Sequence, residues 1–143
     1  MAENYYESKL RVRYAETDAM GIVYHSNYYV WFEVGRGDFL RRFDMSYKQM
    51  EEIGIILPVV ESHCRYRIPA QYDDLLTIRT QVKELGAVKL SFQYQVIRDL
   101  DNTLLAEGET VHAFTDKTKK PLNMKKKNSE LYNLLMKAAN KGE

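Results

Sequence analysis

The strongest constraint in this sequence is a period of two. It runs through four stretches from Val60 onward, where apolar and polar residues alternate. Val60, Ser62, Cys64, Tyr66 and Ile68 stand against Glu61, His63, Arg65 and Arg67. Leu76, Ile78, Thr80 and Val82 stand against Thr77, Arg79, Gln81 and Lys83, and Gly86 supplies a turn. Val88, Leu90, Phe92, Tyr94 and Val96 oppose Lys89, Ser91, Gln93 and Gln95, and the stretch ends in the turn-prone run Asp99 to Asn102. Leu104, Ala106, Gly108, Thr110, His112 and Phe114 oppose Glu107 and Glu109. Successive side chains of a strand point to opposite faces, so each stretch is predicted to be a strand with one buried face. Glu7 to Tyr14 adds another at the start, with Ser8, Leu10, Val12 and Tyr14 expected to point inward. Short turns between strands predict an antiparallel meander.

A sheet with one apolar face needs a covering layer, and Asn27 to Phe43 has the spacing to supply it. Phe32, Gly35, Arg36, Phe39, Leu40 and Phe43 recur at helical intervals, with Arg36 the polar exception. Gly35 and Gly37 each cost about 1 kcal/mol inside a helix relative to alanine. Close approach of another backbone would justify that cost, and Ala106 and Gly108 leave matching room on the last strand. A short helix is predicted from Ser46 to about Glu52, ended by Gly54. The lysine-rich run Lys117 to Lys127, containing Pro121, reads as a solvated connection. Asn128 to Lys141 reads as a closing helix, with Leu131, Leu134, Leu135 and Ala138 on one stripe and Asn128 or Ser129 as its cap. A sheet of about five strands wrapped on one long helix is an α+β architecture. No repeat, linker or low-complexity segment divides residues 1–143, so a single domain is expected.

Composition removes several functions. A net charge of +1 argues against a nucleic-acid binder. One cysteine excludes an internal disulfide and fits a reducing cytoplasm. Met1 to Lys9 is polar and unlike a secretory signal, and no apolar run approaches the ~20 residues that cross a bilayer. Three histidines without zinc spacing imply no metal, and nothing implies a cofactor. His63 and Cys64 are strand neighbours on opposite faces, so they form no thiol-protease pair, and Cys64 is expected to be an inert core residue. The Gly-x-Ser-x-Gly elbow of the α/β-hydrolases is absent.

The chemistry-bearing stretch is Tyr14 to Glu33, YAETDAMGIVYHSNYYVWFE. Asp18 sits in Thr-Asp-Ala-Met-Gly, a run that suits a tight turn. Gly21 to Tyr24 is too short for a core strand and leads into His25-Ser26-Asn27, which reads as a helix start. Ser26 and Asn27 are expected to accept hydrogen bonds from first-turn N–H groups. A carboxylate would thus lie near a helix N-terminus, whose free N–H groups and positive dipole end suit a developing oxyanion. The bland alternatives are a turn-forming aspartate and a capping histidine. Tyr24, Tyr28, Tyr29, Trp31 and Phe32 at helical spacing read as core, interface or pocket lining rather than a base-stacking surface. Lys125 to Lys127 reads as a solvated turn, with a landing site for phosphates the minor alternative.

The string Tyr-x-x-Thr-Asp-x-x-Gly-x-Val-Tyr-His-x-Asn-Tyr-x-x-Trp-x-Glu, as Tyr14 through Glu33, resembles the signature of the 4-hydroxybenzoyl-CoA thioesterase family. Within it, the chain is similar to the short acyl-CoA thioesterases of the YbgC type, and the likeness extends through Pro69, Asp74 and Leu76 to about Pro121. The resemblance implies the hotdog fold, in which an antiparallel sheet wraps a long helix. It implies hydrolysis of an acyl-CoA to free acid and coenzyme A. Asp18 would be general base or nucleophile, and the His25 N–H would polarise the thioester carbonyl. The His25 side chain would orient substrate, water or Asp18, and the Tyr14 hydroxyl would line the site. It also implies a homodimer or homotetramer with the site between protomers. Three other functions stay open: an acyl-carrier-protein thioesterase, a hotdog hydratase or dehydratase, and a non-catalytic acyl-thioester-binding module.

Overall fold

In the computed structural model, which describes residues 5–139, five antiparallel strands form one sheet. They are β1 (Tyr5–Arg11), β2 (Val59–Tyr66), β3 (Leu75–Leu85), β4 (Lys89–Arg98) and β5 (Thr103–Ala113). The order across the sheet is β1-β3-β4-β5-β2. The expected meander is therefore only β3-β4-β5, joined by its short turns. The chain's first strand closes on β3 and its second crosses to the far edge beside β5.

The long helix α1 (Asn27–Arg42) lies on the inner face of this sheet. Its Phe32, Phe39 and Leu40 are fully buried, as are Leu76, Ile78, Leu90, Phe92 and Val96 from the strands. Phe32 stacks on Tyr94 of β4 with ring centres 4.4 Å apart and planes within 8°. Burying one such side chain contributes ~1.5–3 kcal/mol, so this seam is a main source of sheet-to-helix cohesion. The expected room at Gly108 is real: a Cβ there would lie 2.5 Å from Phe32 Cε2. Gly35 is also tight, but against side chains of β3 rather than backbone, with Thr80 Oγ1 2.3 Å from the position of a Cβ. Gly37 differs, since a Cβ there would meet only the Arg41 guanidinium at 3.4 Å. Close approach does not explain that second glycine.

Parity predicts which face of β3, β4 and β5 is buried, with Thr80, Val82, Tyr94, Thr110 and His112 all inward. It fails on β2. That strand is an edge, exposed along almost its whole length, and its alternation has no covered face to select. Cys64 is accordingly half-buried and not a core residue. A bulge between Val96 and Ile97 lets Ile97 and Leu105 turn inward as well. Three further helices close the fold: α2 (Tyr47–Glu52) and, after the last strand, α3 (Met124–Lys127) and α4 (Ser129–Ala139). Ser46 and Gln49 form the capping box of α2, and Asn128 Oδ1 accepts from the Leu131 N–H at 3.0 Å. The lysine-rich connection is not wholly solvated, because Met124 is buried beneath it. The last residues of the expected closing helix, 140 and 141, lie outside the described residues.

The core also holds a line of polar groups. Arg36 Nε donates to the Tyr47 hydroxyl at 2.8 Å, and Arg36 Nη1 reaches the Tyr94 hydroxyl at 3.4 Å. Tyr94 meets Thr110 at 2.6 Å, Thr110 meets His112 Nε2 at 2.8 Å, and His112 Nδ1 meets the Leu57 carbonyl at 3.1 Å. Burial pushes the Tyr47 phenol up to about 12 and the His112 imidazole down to about 4.

Candidate active site

Asp18 lies on a tight hairpin. Thr17 and Val23 pair across it, the Asp18 N–H donates to the Ile22 carbonyl at 2.9 Å, and Gly21 takes a φ of +82°. Only a residue without a Cβ adopts that backbone cheaply, which is why glycine stands there. Asp18 Oδ1 accepts the Met20 N–H at 2.8 Å, so the side chain does form the turn, as the bland reading held. Its Oδ2 takes no hydrogen bond among the described residues.

The return leg of the hairpin runs directly into α1. Ile22 bridges to Gln71 and the Val23 N–H donates to the Ala70 carbonyl at 2.9 Å, which ties the loop to the segment before β3. The helix start differs from the sequence expectation. Ser26 has helical dihedrals and makes no capping bond. The Asn27 side chain donates, through Nδ2, to the Glu16 carbonyl at 3.0 Å. Neither side chain therefore takes up a first-turn donor. Among the described residues no acceptor takes the N–H of His25 or Ser26. Unpaired N–H groups at the positive end of a helix are anion-seeking.

His25 opens onto a cleft of about 270 Å³ lined by Ile22, Val23, Tyr28, Tyr66, Ile68 and Pro69, with Arg67 alongside. The lining is mostly apolar. The Tyr66 hydroxyl donates to the His25 carbonyl at 3.2 Å, and the Tyr66 ring meets Tyr28 edge-on with centres 5.0 Å apart. The His25 ring is exposed and lies 4.5 Å from that of Tyr24. A wider depression of about 420 Å³ lies on the outer face of the sheet. Arg79 in it pairs with Glu7 and Glu109 pairs with the neighbouring Lys83, and no helix terminus lines it.

The structure thus puts Asp18 and His25 on one continuous loop, with Asp18's hairpin forming a wall of His25's cleft; Asp18 itself does not line that cleft in the single chain. The expectation that Tyr14 points inward is corrected. The first strand ends at Arg11, and Tyr14 opens a single 3-10 turn (Tyr14–Glu16) that breaks the alternation. Its side chain is 77% exposed and packs edge-on against Tyr72, not inward. Glu16 takes the inward place instead. Trp31 is buried core and does not line the cleft, whereas Tyr28, also buried, does; their ring centres are 4.7 Å apart. Burial pushes the Cys64 thiol up to about 11, away from the reactive thiolate form. Among the described residues no cluster has the ligands to hold a metal.

Sequence reasoning passed over Glu16 and Tyr66. Glu16 carries one local signal, a carboxylate three residues after Arg13 whose oxygen accepts the Arg13 N–H at 2.8 Å. Tyr66 carries none, because it reaches His25 across a sequence separation of 41 residues.

Comparison with known proteins agrees with the fold. The family model for the thioesterase-like superfamily matches residues 12–135, and the chain belongs to that family. It is 34% identical over 121 residues to a putative acyl-CoA thioesterase, YneP, of Bacillus subtilis, covering 84% of this chain and 87% of that one. It is 33% identical over 116 residues to the acyl-CoA thioester hydrolase YbgC of Escherichia coli, covering 81% and 83%. The DHNA-CoA thioesterase structure from Staphylococcus aureus superposes with a TM-score of 0.88 at 30% identity, covering 93% and 89%. The sheet-on-helix architecture is the hotdog fold of these thioesterases, as the resemblance at Tyr14 to Glu33 implied.

Proposed function

We propose that this thioester hydrolase cleaves a short or medium-chain, or aromatic, acyl-CoA to the free acid and coenzyme A. Asp18 acts as general base or carboxylate nucleophile, and the His25 N–H polarises the carbonyl. The observation that carries the reading is the opening of α1, where the N–H groups of His25 and Ser26 take no acceptor among the described residues and His25 lines an apolar cleft, on the same loop as a carboxylate with one uncommitted oxygen.

A thioester asks little of its catalyst on the leaving-group side, because a thiolate departs without a strong acid. The barrier lies in forming the tetrahedral oxyanion. One well-placed donor to such an oxyanion is worth ~10²–10³ in rate. The acyl chain fits the apolar lining supplied by Ile22, Tyr28, Tyr66 and Ile68. The His25 ring, exposed beside that cleft, orients the substrate or the attacking water.

Activity in this reading belongs to a homodimer or a dimer of dimers, built from single-domain subunits. Strand β2 is an open edge that carries exposed Val59, Val60 and Tyr66, the kind of edge that pairs with another strand. Joining two sheets there would cover Tyr66 and Ile68 beside the cleft. Tyr14 faces solvent in the single chain, so its role as a site-lining hydroxyl depends on a second subunit. The one cysteine fits a reducing compartment, and the reading assigns the protein to the cytoplasm. No helix of the described residues is long and apolar enough to cross a membrane.

The test is thiol release over a panel of acyl-CoA chain lengths, with an acyl-carrier-protein thioester alongside, for wild type and Asp18→Asn. Turnover should fall at least ~100-fold in the variant, with folding unchanged. Equal turnover by both proteins would refute the assignment. A preference for the protein-borne thioester would keep the chemistry and change the carrier.

A further inference from the structure

We propose that Glu16 is the positioning residue of this site: its buried carboxylate and its carbonyl together aim the Asp18 hairpin and the first N–H groups of α1 at the same point. The inference rests on the roles proposed above for Asp18 and His25.

Glu16 is 5% exposed, an unusual place for a glutamate two residues from a surface turn. Three N–H groups converge on its carboxylate. Oε1 accepts from the Arg13 backbone N–H at 2.8 Å, and Oε2 accepts from Trp31 Nε1 at 3.1 Å and from Arg13 Nη2 at 3.5 Å. The guanidinium of Arg13 is mostly exposed, so the buried charge is held mainly by neutral donors. Its backbone carbonyl accepts twice more, from the Tyr24 N–H at 2.8 Å and from Asn27 Nδ2 at 3.0 Å.

These bonds reach every part of the proposed machinery. Through Trp31 and Asn27 the residue grips α1 one turn in and at its first position. Through the Tyr24 N–H it holds the Val23–Tyr24 peptide group, the one next to the peptide that carries the His25 N–H. Asp18 follows two residues after Glu16 along the chain, so the hairpin starts from an anchored point. No other residue in the loop from 13 to 27 makes as many tertiary hydrogen bonds among those described.

The chemistry selects a carboxylate over its amide. Three converging donors need a group that only accepts, and glutamate has two such oxygens. In Glu16→Gln one oxygen becomes an NH₂, which turns a donor toward a donor with almost no change of shape. A residue that merely fills the core would tolerate that exchange, whereas an aiming residue would not.

The experiment measures kcat and KM for acyl-CoA hydrolysis in Glu16→Gln, Asn27→Ala, Asp18→Asn and the double variant Glu16→Gln/Trp31→Phe. For Glu16→Gln, kcat should fall ~10- to 100-fold with KM within threefold, because acyl and coenzyme A contacts are untouched. Removing the indole N–H in the double variant relieves the donor-to-donor contact and should return kcat severalfold above Glu16→Gln alone. Asn27→Ala removes only the bond to the Glu16 carbonyl at a half-buried position, leaves the core intact, and should lower kcat ~3- to 10-fold. It serves where Glu16→Gln does not fold. If Asp18→Asn is inactive while Glu16→Gln and Asn27→Ala stay within twofold of wild type, the positioning role is wrong and the site stands. If Asp18→Asn retains turnover, the site reading fails and this inference falls with it.

Discussion

Lowering the pH from 7 to 5 should cost the fold about 2 kcal/mol, and the group responsible is His112. The hydrogen-bond line that ends on it has a fixed direction. The Arg36 guanidinium can only donate, so the Tyr94 oxygen accepts from it. The Tyr94 hydrogen then goes to Thr110, the Thr110 hydrogen to His112 Nε2, and His112 Nδ1–H to the Leu57 carbonyl. A neutral imidazole completes this line. A proton on Nε2 would point at the Thr110 hydrogen and add a second buried cation near Arg36. Burial, followed by the Arg36 charge, accordingly lowers the His112 pKa from 6.5 to about 4, while the bond to Leu57 opposes the shift.

Between those values the unfolded chain binds the proton and the native protein does not, so stability rises with pH across the window. The contribution is complete above about pH 6.5 and lost toward about pH 4. Its full size is about 3 kcal/mol, of which about 2 kcal/mol goes between pH 7 and 5. Asp99, Asp101 and Asp116 are held below the ordinary carboxylate range by Lys9, Arg98 and Thr118 respectively. Their contributions are present above about pH 4 and lost only below it, outside this window. Urea unfolding of wild type and His112→Gln at pH 7, 6 and 5 tests the reasoning. The variant starts less stable, but its amide cannot titrate, so its midpoint should stay level while the wild-type midpoint falls. A level wild-type midpoint, or an equal fall in both proteins, would refute it.

Gly35→Ala should destabilise by ~1–3 kcal/mol, since its Cβ would sit 2.3 Å from Thr80 Oγ1. That hydroxyl has no hydrogen-bond partner among the described residues, so Gly35→Ala/Thr80→Ala should recover most of the loss; simple additivity in thermal unfolding would contradict the packing account. Cys64, with its thiol raised from 9.0 to about 11, should react with a thiol reagent near pH 8 about 100-fold more slowly than an unstructured cysteine. A rate equal to that of the urea-unfolded protein would show that burial does not protect it.

Local pattern was enough for the parts of this protein that repeat at short range. Period two identified the inner faces of β3, β4 and β5, helical spacing identified α1 to within one residue, and the twenty-residue signature identified the family. These signals are legible because a strand or helix imposes its period on neighbouring residues, whatever lies beyond. Strand order carries no such signal. The sequence of β2 alternates like its fellows, yet the strand is an open edge, because a period says which side chains share a face and not whether anything covers it. The same limit hid the site's support. Glu16 became buried and Tyr14 exposed because one 3-10 turn interrupted the strand, and Tyr66 came to His25 only through the crossing of β2 to the far side of β5. The chain alone determined the turn around Asp18 and the span of the helix that follows; tertiary packing decided how that helix start is held and which neighbours touch it, since those contacts join segments that no local rule relates.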